Sequence, residues 1–517
     1  MTNNCPFNVE PYAKAEVIKR PNVFNLNYTN QDFWSMKTRL LQFTQQRFAG
    51  EFSDFVESSL AVMLLENWAF VADTLSFKMD QIANEIFIDT VTEVENAFRL
   101  CRLVGFQPTA PIAAKSYWTA SLTNAITTDI TIATPIRIEV NGGGESLDME
   151  LFAADSEGNT LFDEDILLPA NSLVNASIVG LEGLTRIEEV PGTGAANQTI
   201  RSGFRTVLFD SVKVEVDGVL WNKVEFFTES QQLREYRVEY NSDFSAFIIF
   251  GNGVAGMVPS MGSLIRITYR TGGGVRGNLV ANATQKSILV DVPGLSYTVP
   301  VFLNNYTRAQ YGFDGDTIDD IRRKLPAYLR TQDRAVTGLD YKTLTDQFAT
   351  PYQGQIGKST AVLRNHGCAA NIIDIYILAR KDTETLENAS DQLKTALMNH
   401  LEAKKMVTDY ICIKDGVPIT VDVNISVTID KFYKKFEDEL RVKILNRVNS
   451  FFNISRWEFG QNLKESDIVK ELSDLKEISS IDIAFSTDDS PTATNIVTAK
   501  YFEIIRPDII DLGFVYE

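Results

Sequence analysis

Residues 269–278 read Tyr-Arg-Thr-Gly-Gly-Gly-Val-Arg-Gly-Asn, and residues 334–341 read Arg-Ala-Val-Thr-Gly-Leu-Asp-Tyr. The first block opens as a strand, because Leu264, Ile265, Ile267 and Tyr269 are apolar or aromatic and β-prone between Gly262 and Gly272. Gly272, Gly273 and Gly274 stop it. Three glycines in succession supply positive φ at little steric cost and let another backbone come close, so a sharp, packed turn is predicted. Upstream, Ala246-Phe-Ile-Ile-Phe-Gly-Asn-Gly253 repeats the arrangement, an apolar run ending in a hairpin turn. The pair reads as antiparallel β structure. In the second block, Thr337 and Asp340 form a capping box that starts a helix through Tyr341, Leu344 and Phe348.

Working outward, residues 1–30, with Pro6, Pro11 and Pro21, read as an extended arm. Residues 31–110 read as helical, with no proline between Pro21 and Pro108. Leu60, Leu64, Trp68, Val71, Leu75, Met79, Ile82 and Ile86 recur every three or four positions, the apolar seam of a long helix. Ser53 is placed to cap its start, with Asp54 and Glu57 suiting the dipole. Two readings of the seam stand side by side. It packs at home against helices near residues 31–48 and 91–104, or it joins a bundle shared between subunits.

Residues 111–312 shift to Thr, Ile, Val, Gly and Asn, and Asp129 to Val140 alternate as a strand does, so a mostly antiparallel β domain is predicted. Residues 313–412 and 413–517 read as α+β modules. Thr317 to Asp320 form another capping box, and Pro326 is expected to kink or divide the helix that follows. Arg322, Arg323, Lys324 and Arg330 read as a solvated basic face or an anionic interface patch. Strands are predicted at 371–378, 418–429 and 481–485, with helices at about 384–405, 432–452 and 465–475. The apolar tail from Tyr501 to Tyr516 is expected to pair either within this chain or with a neighbour. The fold class is multidomain α+β, with an N-terminal helical region, a central β domain and C-terminal α+β modules.

The order Phe250-Gly-Asn-Gly-Val-Ala-Gly256, Pro259, Gly262, Tyr269-Arg270, Gly272-Gly-Gly274, Gly277-Asn278, Gly315, Arg334-Ala-Val-Thr337 and Asp340-Tyr341 resembles the Baseplate J-like family. Trp68, Ala72, Asp73, Glu85, Phe87, Ile88, Thr90, Leu103, Gly105 and Phe106 follow the order of that family's helical opening segment. The resemblance spans roughly residues 30 to 480. It implies a large wedge subunit of a contractile-tail baseplate, in a phage or a related injection system. Such subunits pair with one another and with a third wedge protein. They also meet a sheath-initiator-like protein, close as a ring around the central hub, and rearrange when the sheath contracts. It further implies a place in the virion tail baseplate, assembled in the host cytoplasm, and a structural role for Arg334 and its neighbours.

The acidic composition reads either as a source of solubility or as a sign that the partners are proteins. Net charge is −19, from 68 acidic against 49 basic residues, which argues against broad attraction to nucleic acid or anionic membrane. Cys5, Cys101, Cys368 and Cys412 are far apart without a Cys-x-x-Cys, so reduced thiols are expected. The amino end lacks the pattern of a signal peptide, and no apolar run is expected to reach the ~20 residues of a bilayer span.

Chemistry is hard to place on this chain. It has two histidines, His366 and His400, neither in a ligand or triad spacing, and Cys368 beside His366 is not how such sites are built. Gly354 to Ser359 ends like a phosphate loop, but Tyr352 stands where that loop needs glycine. The glycines at 272–277 lack the spacing of a dinucleotide fingerprint. No catalytic, cofactor-binding or metal residue is expected, and the protein is read as non-enzymatic. The rival reading is a tail-associated carbohydrate-binding or depolymerising protein, whose mark would be an aromatic cleft with convergent carboxylates.

Overall fold

The computed structural model describes residues 32–48, 56, 59–142, 145–156, 158–282, 284–292, 297–351, 353–365, 371–381, 385–475, 477–487 and 490–516. The chain is multidomain α+β: helices first, a mostly antiparallel β region next, mixed modules last. It divides into two compact units, one formed by residues 19–108 and 317–325, the other holding 109–316 and 326–517. The predicted arm at 1–30, the Ser53 cap with Asp54 and Glu57, and His366, Cys5 and Cys368 all lie outside the described residues.

In the helical unit, α1 (Phe33–Arg47) begins at Asp32, whose Oδ1 accepts from Ser35 N at 2.7 Å. α2 (Leu60–Asn84) runs 25 residues because neither Gly nor Pro interrupts it, and Ser59 is its N-cap. The turn beyond it is closed by Glu85, whose carboxylate accepts from Thr92 N at 2.9 Å and Glu93 N at 3.2 Å, where α3 (Val94–Leu103) starts. Those bonds hold the Glu85 carboxyl below its usual range despite the opposing effect of burial. α4 (Ile318–Thr331) begins in this unit with the predicted box, Thr317 Oγ1 accepting from Asp320 N and Asp320 Oδ2 from Thr317 N. It continues undivided through Pro326, contrary to the expected division. One missing N–H does not outweigh the remaining bonds and the buried Ile321 and Leu325.

Among the described residues the β region holds two large cores and a small cluster around Phe152, Val179 and Leu181. The first backs a seven-stranded sheet among the described residues, in the order 285–291, 298–305, 115–122, 174–182, 145–154 and 136–142, with Thr160–Leu161 on 145–154. Trp118, Met149, Leu151, Ile178, Val301 and Leu303 fill that core. The second core belongs to residues 184–271, two four-stranded sheets enclosing Val214, Tyr236, Ile248, Phe250, Ile267 and Tyr269. The stretch from Asp129 to Val140 is two strands, Ile130–Ile132 and Ile136–Gly142. Pro135 lacks the N–H that one ladder would need.

In the last modules, α5 (Gly338–Asp346) and α6 (Asp391–Glu402) cover one face of a sheet formed by Gly354–Asn365, Asn371–Arg380 and Asp409–Asp415. Two of those strands were not predicted, since glycines and lysine dilute the β signal in the first. The final sheet pairs Val417–Ile429 with Ile478–Thr487 and with Glu503–Tyr516. The apolar tail therefore pairs within its own chain, parallel to 417–429, and Pro507 with Asp508 and Asp511 blunts its outer edge. α7 (Glu437–Phe451) and α8 (Glu465–Leu472) pack on that sheet through Leu440, Ile444, Val448 and Ile468. Cys101 is a buried thiol, but Cys412 is disulfide-bonded, which corrects the expectation of reduced thiols throughout.

Candidate functional site: an exposed helix face and a glycine joint

On a helix with 100° per residue, Leu60, Leu64, Trp68, Val71, Leu75, Met79 and Ile82 fall within a sector of about 100°, and Ile86 follows just past the end. Val62 and Ala69, the buried residues of α2, lie on the opposite side. α1 packs along α2, with Lys37 Nζ 2.6 Å from Glu66, while the eight seam residues remain 47–67% exposed. The seam is thus the exposed side of α2 among the described residues. Phe70 and Phe77 are exposed too, but on the side of α2 away from the seam. Ile82, Ile86, Leu100 and Leu103 line an open groove of about 680 Å³, with Lys78, Glu85, Glu93 and Arg99 also on its wall.

The structure also corrects the expectation that no run reaches bilayer length. α2 is long and apolar enough to cross a membrane, by length and composition alone. Glu66 and Asp73 are the charges between residues 60 and 77.

The glycine block forms a joint in the other unit. Strand Val174–Glu182 leads through Gly183 into Leu184–Pro191, and its partner Leu264–Thr271 returns through Gly272, with Thr271 opposite Leu184. Residues 184–271 thus leave and rejoin the seven-stranded sheet at one point. Gly272, Gly273 and Gly274 have φ of 136°, 87° and 117°, a region closed to most side chains. A Cβ on Gly272 would stand 2.7 Å from Gly183 Cα, and one on Gly277 2.8 Å from Ala114 Cβ. Asn278 completes the joint, its Nδ2 donating to Gly312 O at 3.3 Å while its Oδ1 accepts from Gly312 N at 2.9 Å.

Charges lock what the glycines bring together. Arg270 is buried; Nη1 pairs with Glu150, and Nη2 donates to the carbonyls of Leu181 at 3.3 Å and of Glu182 and Gly183 at 3.2 Å. Glu150 also accepts from Arg137 Nε at 3.2 Å and from Thr185 N and Oγ1 at 3.0 and 2.7 Å, so a fully buried carboxylate is satisfied on all sides. Glu182 Oε2 accepts from Gly273 N at 2.5 Å. Burial pushes the Glu182 carboxyl up to about 7, against the pull of the Gly273 N–H, Arg270 and Arg276.

The second motif is structural too. Thr337 caps α5, accepting from Asp340 N at 3.2 Å, and Asp340 returns the bond to Thr337 N at 2.9 Å. Tyr341 is fully buried and donates to Asp409 at 2.7 Å. Arg334 is exposed and donates to Gln332, so it does not meet the condition for bracing the loop; Ala335 does so instead, its N bonded to Lys404 O at 3.0 Å. In the basic helix, Arg322 pairs with Asp319 and also donates to Val91 O, and Arg323 pairs with Asp320; both are half-buried.

His400 packs against Phe348 and is held down to about 4 by burial, in a setting of core packing. Residues 354–359 lie in an extended strand, with no cradle for phosphate. Among the described residues no His, Cys, Asp and Glu group could hold a metal. Sequence reasoning missed Glu150 and Glu182, which lie 120 residues from Arg270 and 91 from Gly273, the groups they bond, and carry no local signal.

Residues 35–103, from within α1 to the end of α3, match the family model of the bacteriophage baseplate protein N-terminal domain. No curated protein matches the chain. Solved structures also resemble it, among them two baseplate assemblies. A cryo-EM structure of the anti-feeding prophage (AFP) baseplate, 6-fold symmetrised, aligns over 93% of this chain and 95% of that one, with 12% identity and a TM-score of 0.35. The TssK-TssF-TssG baseplate subcomplex of the type VI secretion system aligns over 69% and 96%, with 9% identity and a TM-score of 0.29. The family match over α1 to α3 supports a baseplate protein.

Proposed function

We propose that this chain is a non-enzymatic wedge subunit of a contractile-tail baseplate, as its likeness to the Baseplate J-like family implies. In this reading it binds a second copy of itself and other wedge proteins, closes around the hub and takes part in the rearrangement that triggers sheath contraction. The observation that carries it is the α2 face. Eight large apolar residues lie exposed inside the very segment that matches a baseplate domain. Burying one such side chain gains about 1.5–3 kcal/mol, so leaving all eight in water is costly unless another helix covers them.

Two measurements test the reading. Gold-labelled antibody against the chain should mark the end plate of intact particles in electron micrographs; label confined to fibres would sink the wedge assignment. The double variant Trp68→Glu, Leu75→Glu should fold and yet fail to enter baseplates. Binding of the wild type to phospholipid vesicles that the variant loses, with normal particles from both, would instead make α2 a membrane element.

A further inference from the structure

We propose that the α1–α2 pair carries a second docking surface, separate from the seam, and that its occupant is the α2 seam of another copy of this chain. The inference rests on the reading of the seam as an assembly surface given above.

Two rows of large side chains recur every seven residues, a spacing that keeps one helix face aligned along its length. On α1 and its C-cap they are Trp34, Leu41 and Phe48, and on α2 they are Met63, Phe70 and Phe77. Trp34, Phe70 and Phe77 are 67%, 63% and 70% exposed. One pair of contacts puts both rows on the same side. Lys37 Nζ lies 5.3 Å from the centre of the Trp34 ring and 2.6 Å from Glu66, and Glu66 is one turn from both Met63 and Phe70. The rows therefore flank the ion pair, as the two walls of a shallow trough suited to a third helix. The three rings alone leave about 300–500 Å² in water, comparable with the largest apolar patch on a typical monomer.

Charge selects the occupant. Asp73 and Asp80, three residues past Phe70 and Phe77, border this surface, so pairing two such surfaces would set acid against acid. The seam brings no acid, because Lys78 is the one charge in its sector of α2. A seam laid in the trough buries apolar against apolar and matches a lysine to carboxylates. Seam and trough lie on different sides of α2, so each copy both gives and receives, and the contact is head-to-tail.

Sedimentation velocity of the purified full chain tests this, with Phe70→Glu to block the trough and Leu75→Glu to block the seam. Both side chains are exposed, and circular dichroism should show both variants folded. The wild type should associate as its concentration rises, and either variant alone should associate at least about tenfold more weakly. An equimolar mixture of the two should regain association but stop at dimers, because one supplies only a seam and the other only a trough. A Phe70→Glu variant that associates as the wild type does, or a mixture no better than its parts, would overturn the proposal. So would a wild type that stays monomeric; if that chain still marks the end plate of particles, this inference falls and the wedge reading stands.

Discussion

Arg270 and Glu150 form an ion pair, both buried, that joins the inserted β module to the seven-stranded sheet. The same guanidinium spans three successive carbonyls, of Leu181, Glu182 and Gly183, and lies 5.5 Å from the centre of the Phe152 ring. A planar, five-donor group suits that geometry and an ammonium does not. Arg270→Leu should lower stability by about 3–5 kcal/mol, because it leaves Glu150 charged and short of one partner. Arg270→Lys should recover part of that loss. Urea unfolding followed by tryptophan fluorescence would measure both, and equal stability of the lysine variant and wild type would contradict the three-carbonyl account.

Gly274 and Gly218 both have positive φ, 117° and 76°, yet they differ in what surrounds them. A Cβ on Gly274 would collide with Asp314 Oδ1, whereas one on Gly218 meets open space. Gly218→Ala should therefore cost only the backbone term, about 1–2 kcal/mol. Gly274→Ala should cost more than that and should also lose the Val275 N to Asp314 bond. Comparing midpoints of the two variants in one denaturant series decides the matter, and equal costs would show that packing at the joint is loose.

Glu458 accepts from Lys342 at 2.5 Å and from Lys358 at 2.7 Å, with both lysines buried. Burial opposes its charge, but Lys358 and Lys342 outweigh that and hold the carboxyl below its usual range. A depressed carboxylate contributes stability above its unfolded value near 4.5, and that stability is lost as pH falls below it. Glu458→Gln should destabilise by about 3–5 kcal/mol at pH 7, with a smaller penalty at pH 3. Thermal melts at the two pH values would reveal a pH-independent penalty if the network were unimportant.

His400 titrates in the opposite sense from a paired histidine. Burial lowers it from 6.5 to about 4, so its neutral form is the folded one, and stability is lost as pH falls from about 6.5 to 4. His400→Phe, packed against Phe348, should flatten that part of the stability profile. An unchanged acid limb of the melting curve would assign it elsewhere.

The two faces of α2 should respond oppositely to mutation. Leu75→Ser, on the exposed face, should shift the unfolding midpoint by no more than about 0.5 kcal/mol, while Val62→Ser, on the buried face, should cost about 2 kcal/mol. Circular dichroism melts would check this, and a large loss from Leu75→Ser would mean that the seam is buried within the subunit.

The elements that were legible in advance share one property, a short-range signal. The 3.6-residue recurrence from Leu60 to Ile82, the boxes at Thr317 and Thr337, and the apolar alternation of residues 418–429 each declare a helix or strand within a few residues. The glycine run at 272–274 announced a close approach of backbone in the same way, through the absence of side chains.

Partners distant in sequence were decided only on folding. No local pattern tells that Glu182 and Glu150 meet Arg270 and Gly273, that the tail from Glu503 lies along residues 417–429, or that strand 354–365 forms despite its glycines. Those outcomes depend on which chain segments share a core and on which charges are desolvated together, which are properties of the packed interior. The α2 seam lies between the two cases: its apolar period was written in the residues, and only the packing of α1 on the opposite side left it facing outward.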